Sequence, residues 1–215
     1  MTRPAATLER PRRTPDLPIG PGGPPVATGD GGGAAMRPPA SAASIAVWLL
    51  VGAITLLFAA FTATLLARRV EADWQVGPLP AILWMSTAVL LLSSAAVEWA
   101  RRRGRDDRQD QLWIGLIVTL VLGVAFLGLQ YRAWRQLVAA GIYMSSNPHS
   151  AFFYLLTGMH ALHVTGGLAW LTHAVVRARR AASAVVALAA VEPAAVYWHF
   201  LGALWLYLFA ILFEV

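Results

Sequence analysis

Residues 112–131 read LWIGLIVTLVLGVAFLGLQY, a run of twenty residues without a charged side chain. A helix of about 20 residues can cross the roughly 30 Å hydrocarbon core of a bilayer, and it satisfies its own backbone hydrogen bonds where lipid cannot. Four further apolar blocks surround this one along the chain, at residues 43–67, 79–99, 152–176 and 194–213. The sequence therefore predicts an all-α integral membrane bundle of five transmembrane helices.

The composition of the whole chain favours the same fold class. Of the 215 residues, 58% are hydrophobic and 13% are charged, whereas soluble domains average about 25% charged residues. The chain has no cysteine, which excludes a disulfide scaffold, a thiolate metal or iron–sulfur site, and a cysteine nucleophile. The low charged fraction, together with the apolar blocks, favours a multi-pass membrane protein.

The positions of the basic residues predict how the bundle is oriented. All 17 basic residues are arginine, and 13 of them lie in the N-terminal segment and in the second and fourth connections, which share one side of a five-span protein. Only four lie on the other side. The positive-inside rule then places the N-terminus in the cytoplasm and the C-terminus outside. We read the net charge of +6 as this topology signal, not as a nucleic-acid surface.

The first 42 residues differ in composition from the rest of the chain. They hold nine of the 13 prolines and seven of the 18 glycines, without an apolar run. Such a segment cannot bury enough surface to offset its ordering entropy. We predict a disordered cytoplasmic tail over residues 1–42 and a membrane domain over residues 43–215.

A short apolar stretch at 181–191 has too few residues to span a membrane. We expect it to extend the last helix outward with a break at Pro193, whose ring disfavours helical geometry at Glu192. The sequence pattern does not fix the residue at which the last helix begins.

Small residues recur at helical spacing in the third and fourth helices. Such stripes let helix backbones approach closely in lipid, although chance in a chain rich in alanine and glycine is the alternative. The predicted helix-packing residues are Gly115, Thr119, Gly123, Gly158, Ala161, Thr165, Gly166 and Ala169.

Polar side chains at membrane depth are costly and therefore informative. His160 and His163 are three residues apart in the fourth helix, His199 lies in the fifth, and Glu192 stands near the start of the fifth. The simplest interpretation is that they hydrogen-bond neighbouring helices or lipid headgroups. The chain lacks the connected acidic residues of an ion-driven transporter, and a dinuclear metal site would need carboxylates beyond Glu192.

Haem binding is the other chemical interpretation of the histidines. His149 and His163 are 14 residues apart, and His160 and His173 are 13 apart, which resembles the spacing of axial ligands in haem-binding membrane bundles. Both pairs share one helix, however, and only His199 is available opposite them.

The last three predicted helices carry three motifs in order along the chain. The third helix has Gly123, Phe126 and Gln130 in a G-x-x-F-x-x-x-Q pattern. The fourth has FF at 152–153, TGMHALHV at 157–164 and GG at 166–167, preceded by GIY at 141–143. The fifth has Glu192, then YWHF at 197–200, then Trp205. Together these motifs resemble subunit III of the haem–copper oxidases. Members of that family commonly have seven helices, so five suggest the shorter bacterial form that lacks the first two.

This resemblance implies an accessory, non-catalytic subunit of an aerobic respiratory cytochrome c oxidase in the bacterial inner membrane. Haem and copper would then sit in partner subunits I and II, which reduce dioxygen and pump protons. This chain would bind no cofactor or metal itself, and would stabilise subunit I, hold phospholipid and support proton uptake. The alternatives are a subunit-III-like protein of a nitric oxide reductase or quinol oxidase, and a haem-binding membrane electron carrier.

Within this framework, the polar residues of the last two helices form the candidate site. We expect His160, His163, Glu192 and His199 to form one buried polar cluster that joins the fourth and fifth helices. Tyr197 and Trp198 of the YWHF motif complete the set. Its expected role is structural or lipid-binding.

Overall fold

The computed structural model describes residues 42–74 and 79–214, and these residues form five α-helices without a strand. The helices are α1 (Ala42–Arg68), α2 (Ile82–Arg105), α3 (Gln109–Ala139), α4 (Pro148–Arg180) and α5 (Ala184–Glu214). The all-α prediction is confirmed for this part of the chain. The predicted tail lies outside the described residues except for Ala42, where α1 begins.

Four of the five helices, α1, α2, α3 and α5, are long and apolar enough to cross a membrane. The exception is α4, which has 33 residues and so a length of about 50 Å. His160, His163 and His173 lower its hydropathy. The prediction of a membrane protein is confirmed on these four helices, while the fifth span and the sides of the two termini stay predictions.

Four helices extend beyond their apolar blocks at both ends, because a helix can continue into the interfacial region past the hydrocarbon core. The exception is α2, which begins at Ile82, inside the predicted block 79–99, and extends beyond that block only at its C-terminal end. The start of α4 shows what fixes such an end. The Asn147 side chain accepts a hydrogen bond from the Ser150 backbone N–H at 2.8 Å, and Pro148 occupies the first turn. Both features are favourable at a helix N-terminus.

The expected break at Pro193 is wrong, because α5 runs through it from Ala184 to Glu214. Stretch 181–191 does extend the last helix, as predicted, from residue 184 onward. Proline removes one backbone hydrogen bond from a helix interior. The residues around it, Val191, Ala194 and Ala195, are all buried, so their packing keeps this segment helical despite the lost bond.

Helices α2 and α3 pack side by side, α5 packs against α2 and α4, and α1 lies against α4 and α5. Two glycines of α3 lie where helices approach most closely. A Cβ at Gly115 would stand 2.7 Å from the Ala100 Cβ in α2, and one at Gly123 would stand 2.7 Å from both Leu168 and Trp198. Thr119, one turn from each glycine, is buried between them.

The predicted packing residues of α4 lie elsewhere. Thr165 and Gly166 are exposed, and a Cβ at Gly158 or Gly166 would meet nothing within 4 Å. Ala161 is half-buried. The stripe faces away from the other described helices, and Gly167, on the opposite side of α4, makes the close contact instead, against Leu201 of α5. The prediction of an interface within the bundle is therefore corrected for these α4 residues.

Candidate functional site

Three tryptophans join pairs of helices by donating their indole N–H to a hydroxyl group on another helix. Two of these bonds connect α5 to α2, and one connects α3 to α4. Hydrogen bonds between helices in lipid contribute about 0.6–2 kcal/mol each. The bonds are Trp198 to Ser93 at 3.0 Å, Trp205 to Thr87 at 2.9 Å, and Trp134 to Thr157 at 3.1 Å.

The accepting hydroxyls also donate, so that each is used twice. Thr87 and Thr157 donate to backbone carbonyls one turn earlier in their own helices, at 2.8 and 2.6 Å. Ser93 donates instead to the carbonyl of Thr119 in α3, at 3.1 Å. Ser93 therefore connects three helices, α2, α3 and α5. These three tryptophan–hydroxyl pairs form an interhelical polar core, whose groups bond to each other across the helices.

His160 lies inside this core. Its side chain is fully buried, and its ring lies 5.2 Å from the Trp205 ring and 5.9 Å from the Phe126 ring, measured between centroids. Neither of its ring nitrogens has a hydrogen-bond partner among the described residues. The histidine is held by aromatic packing.

His163 faces a different neighbour. Its Nδ1 lies 2.7 Å from the Met159 carbonyl of its own helix, which makes Nδ1 the protonated nitrogen in this bond. Its ring packs edge-to-face on Phe58 of α1, at 5.7 Å. Tyr197 reaches the backbone of this residue, with its hydroxyl 3.5 Å from the His163 carbonyl. His163 therefore belongs to the contact with α1.

Glu192 and His199 lie in a third region of the bundle, where the arginine-rich end of α2 contacts α5. We call this group the charged cluster, and it consists of Glu98, Arg101, Arg102, Arg105, Glu192 and His199. Glu98 pairs with Arg101 at 2.9 Å and Arg102 at 3.2 Å, and lies 3.8 Å from His199. Glu192 pairs with Arg105 at 3.3 Å and Arg101 at 3.7 Å. Arg101 thus touches both carboxylates and ties α2 to α5.

The predicted single cluster of His160, His163, Glu192 and His199 is therefore wrong. His160 lies beside Trp205, which is six residues beyond His199 in α5 and 13 beyond Glu192. At 1.5 Å per residue these separations are about 9 and 20 Å along the helix. Tyr197 of the YWHF motif does reach the His163 carbonyl of the TGMHALHV motif, but the polar side chains of Trp198 and His199 have their partners on α2.

A groove lies at the same end as the charged cluster, where α4 ends and α5 begins. It has a volume of about 560 Å³. His173, Arg177 and Arg180 supply its polar lining, and residues such as Val176 and Val186 supply its apolar lining. Such a combination suits a molecule with an anionic group and a hydrocarbon part.

The fit of a haem or a metal to these residues is poor. A haem iron could approach His160 only if Phe126 or Trp205 moved away, and the His163 ring packs on Phe58 of α1, away from His160 and its aromatic neighbours. Among residues 42–74 and 79–214, no three histidine or acidic side chains lie close enough together to hold a metal ion.

Sequence reasoning missed the hydroxyl partners of the tryptophans and the arginine partners of Glu192. Thr87, Ser93 and Thr157 are ordinary residues within apolar runs, and Arg101 and Arg105 had been counted only for topology. The one available signal was that each is a polar residue in or beside a predicted span, where a partner is expected.

Comparisons with known proteins agree with the motifs. The profile of a family described as cytochrome c oxidase subunit III matches residues 57–214. Cytochrome c oxidase subunit 3 of Bacillus sp. (strain PS3) is 30% identical over 173 residues, which cover 77% of this chain and 82% of that protein. Its counterpart in Bacillus subtilis (strain 168) is 29% identical over 176 residues, covering 77% and 83%. A probable quinol oxidase subunit 3 of Staphylococcus aureus (strain USA300) is 26% identical over 174 residues, covering 78% and 86%.

Proposed function

Because this chain belongs to the cytochrome c oxidase subunit III family, we propose that it is an accessory, non-catalytic subunit of a bacterial cytochrome c oxidase. The observation that carries the proposal is the family match over residues 57–214, which includes all of α2, α3, α4 and α5. In this role the chain stabilises subunit I and supports its proton uptake. Haem and copper reside in subunits I and II.

The interhelical polar core supports a scaffolding role. Its indole and hydroxyl groups are engaged with each other across helices. The charged cluster likewise places its carboxylates against arginines. These groups serve to hold α2, α3, α4 and α5 in one arrangement, which is what a subunit needs in order to present a fixed surface to partners.

We also propose that α4 is a fifth span. It runs antiparallel to α3 along most of its length, since the Gln109 side chain at the start of α3 donates to the carbonyls of Ala178 and Ala181 at the end of α4. At the other end, the Tyr154 hydroxyl donates to the carbonyl of Ile142, just after α3. A helix that packs along most of its length against a membrane-crossing helix crosses the membrane with it. With α4 as a span, the arginine distribution supports a cytoplasmic N-terminus, and the bacterial relatives support a location in the inner membrane.

The groove between α4 and α5 is the proposed phospholipid site. Arg177 and Arg180 bind the phosphate of an anionic headgroup, and the apolar lining near Val176 and Val186 holds the first part of an acyl chain. Replacing both arginines by glutamine should lower the phospholipid retained per purified chain, measured by mass spectrometry of extracted lipid. Arg132→Gln with Arg135→Gln, at the other end of the bundle, is the matched control. Equal phospholipid retention in the two double variants would contradict the proposed phospholipid site.

The experiment that tests the proposed function is purification from the native membranes in a mild detergent, with mass spectrometry of the proteins that accompany the chain. Recovery of haem–copper subunits I and II supports it, and their identity distinguishes a cytochrome c oxidase from a quinol oxidase or a nitric oxide reductase. A chain recovered alone and colourless would overturn it. A chain recovered alone with a haem spectrum would replace it by the electron-carrier alternative.

A further inference from the structure

Two buried polar side chains keep unpaired atoms in the middle of the bundle. The Gln130 side chain is 1% exposed, and its Nε2 donates to the Ser86 hydroxyl at 3.1 Å. Its Oε1 has no hydrogen-bond partner among the described residues, and the same holds for both ring nitrogens of His160. A buried polar atom left without a partner is unfavourable and needs an explanation.

Contacts on the α2 side connect Gln130 to the indole that covers His160. Ser86, the partner of Gln130, is followed in the chain by Thr87. The Thr87 hydroxyl accepts the indole N–H of Trp205 at 2.9 Å. The Trp205 ring in turn lies 5.2 Å from the His160 ring.

Contacts on the α3 side also connect His160 to Gln130. The second ring against His160 is Phe126, which is perpendicular to it at 5.9 Å. Phe126 lies one helical turn before Gln130 on the same face of α3. One turn further along that face, Trp134 donates to Thr157, one turn before His160 in α4. Gln130 therefore lies level with the segment 157–160, so its unpaired oxygen and the unpaired nitrogens of His160 lie in the same layer of the bundle, among residues of α2, α3, α4 and α5.

The unpaired atoms of Gln130 and His160 require different hydrogen-bond partners, and one molecule that both donates and accepts can supply them. The Gln130 Oε1 can only accept a hydrogen bond, and a neutral imidazole offers one donor and one acceptor. Water can donate two hydrogen bonds and accept others, and buried waters typically make about three hydrogen bonds to otherwise unsatisfied polar groups. A charged ligand would find no opposite charge here, because the groups around this place are hydroxyl, amide, imidazole and aromatic.

We propose that one ordered water molecule bridges Gln130 and His160 in the interior of the bundle. It donates to the Gln130 Oε1 and accepts the imidazole N–H of His160. This internal water site depends on the fold of the chain alone, so it stands or falls independently of the oxidase role.

The decisive test is a density map of the purified native protein, at a resolution that shows ordered water. The expected result is a water peak within hydrogen-bonding distance of both Gln130 Oε1 and a ring nitrogen of His160. A direct contact between the two side chains, or a map of sufficient quality without the peak, would overturn the proposal.

Magnetisation transfer from water to ¹⁵N-labelled histidine provides a second measurement. His160, whose signal is assigned by its loss in His160→Leu, should receive transfer although its side chain is fully buried. Gln130→Met should abolish this transfer, whereas Gln136→Met, at an exposed glutamine of the same helix, should leave it intact. Unchanged transfer in Gln130→Met would count against the bridge, and the native map decides the question even if that variant fails to assemble.

Discussion

Trp198 of α5 donates its indole N–H to the Ser93 hydroxyl of α2 at 3.0 Å, and the same hydroxyl donates to the Thr119 carbonyl of α3. These residues are far apart in the chain, and each is buried. One serine thus connects three helices in a place where lipid offers no competing hydrogen bonds. The arrangement shows how a few buried hydrogen bonds can specify the positions of helices whose surfaces are largely apolar.

The first prediction concerns this serine. Ser93→Ala leaves the Trp198 N–H and the Thr119 carbonyl without this partner, so it should reduce stability by about 1–3 kcal/mol. Ser94→Ala, at the adjacent half-buried serine, is the matched control and should change stability by less than about 0.5 kcal/mol. Thermal unfolding of the purified protein in detergent is the measurement. Equal melting temperatures for the two variants would refute the bridging role.

The second prediction uses two glycines of α3. Gly123→Ala places a methyl group 2.7 Å from Leu168 and from the Trp198 ring, and overpacking of this kind costs about 1–3 kcal/mol. Gly128→Ala meets nothing within 4 Å and should be neutral or stabilising by up to about 1 kcal/mol, because alanine is the better helix former.

Both glycine variants are compared by thermal unfolding with the parent protein. Because the two substitutions are chemically identical and lie in the same helix, helix propensity cancels between them. Equal effects at the two positions would mean that α3 does not approach α4 and α5 as closely as described.

The third prediction concerns the charged cluster. Arg101 is 17% exposed and contacts both Glu98 and Glu192, whereas Arg102 is 73% exposed and pairs with Glu98. Arg101→Gln should therefore destabilise by about 1 kcal/mol or more, and Arg102→Gln by less than about 0.5 kcal/mol, since exposed pairs contribute little. Melting temperatures at low and high salt provide the measurement. The difference should shrink as salt screens the pairs, and a larger effect for Arg102 would contradict the role given to Arg101.

The fourth prediction concerns the side of the membrane on which each end of α4 lies. Since the chain has no cysteine, single cysteines can be introduced on an unreactive background. In intact cells, a membrane-impermeant maleimide should label Ser145→Cys, before α4, but not Ser183→Cys, after it. Both should react once the membrane is permeabilised. Labelling of both variants, or of neither, in intact cells would show that α4 does not cross.

Much of the fold could be predicted from the sequence because each helix is marked by a long apolar block. Residues 112–131 predicted α3, and the motifs at 157–164 and 197–200 led to the family that the comparisons confirm. Helix ends were less accurate, since a helix continues past the hydrocarbon core under local control, as Asn147 shows for α4. The candidate site was predicted least well, because four residues assigned to one cluster lie in three places.

The sequence by itself determined the helical class, the membrane environment and the family. These depend on apolar runs and on short motifs, both of which are local properties of the chain. Only the tertiary structure decided that Ser93 accepts from Trp198, that His160 lies between two aromatic rings, and that Glu192 pairs with α2. The physical reason is that lipid is as apolar as the bundle interior. The outward face of a helix therefore looks like its inward face in sequence, and the side to which a polar residue points is decided by packing.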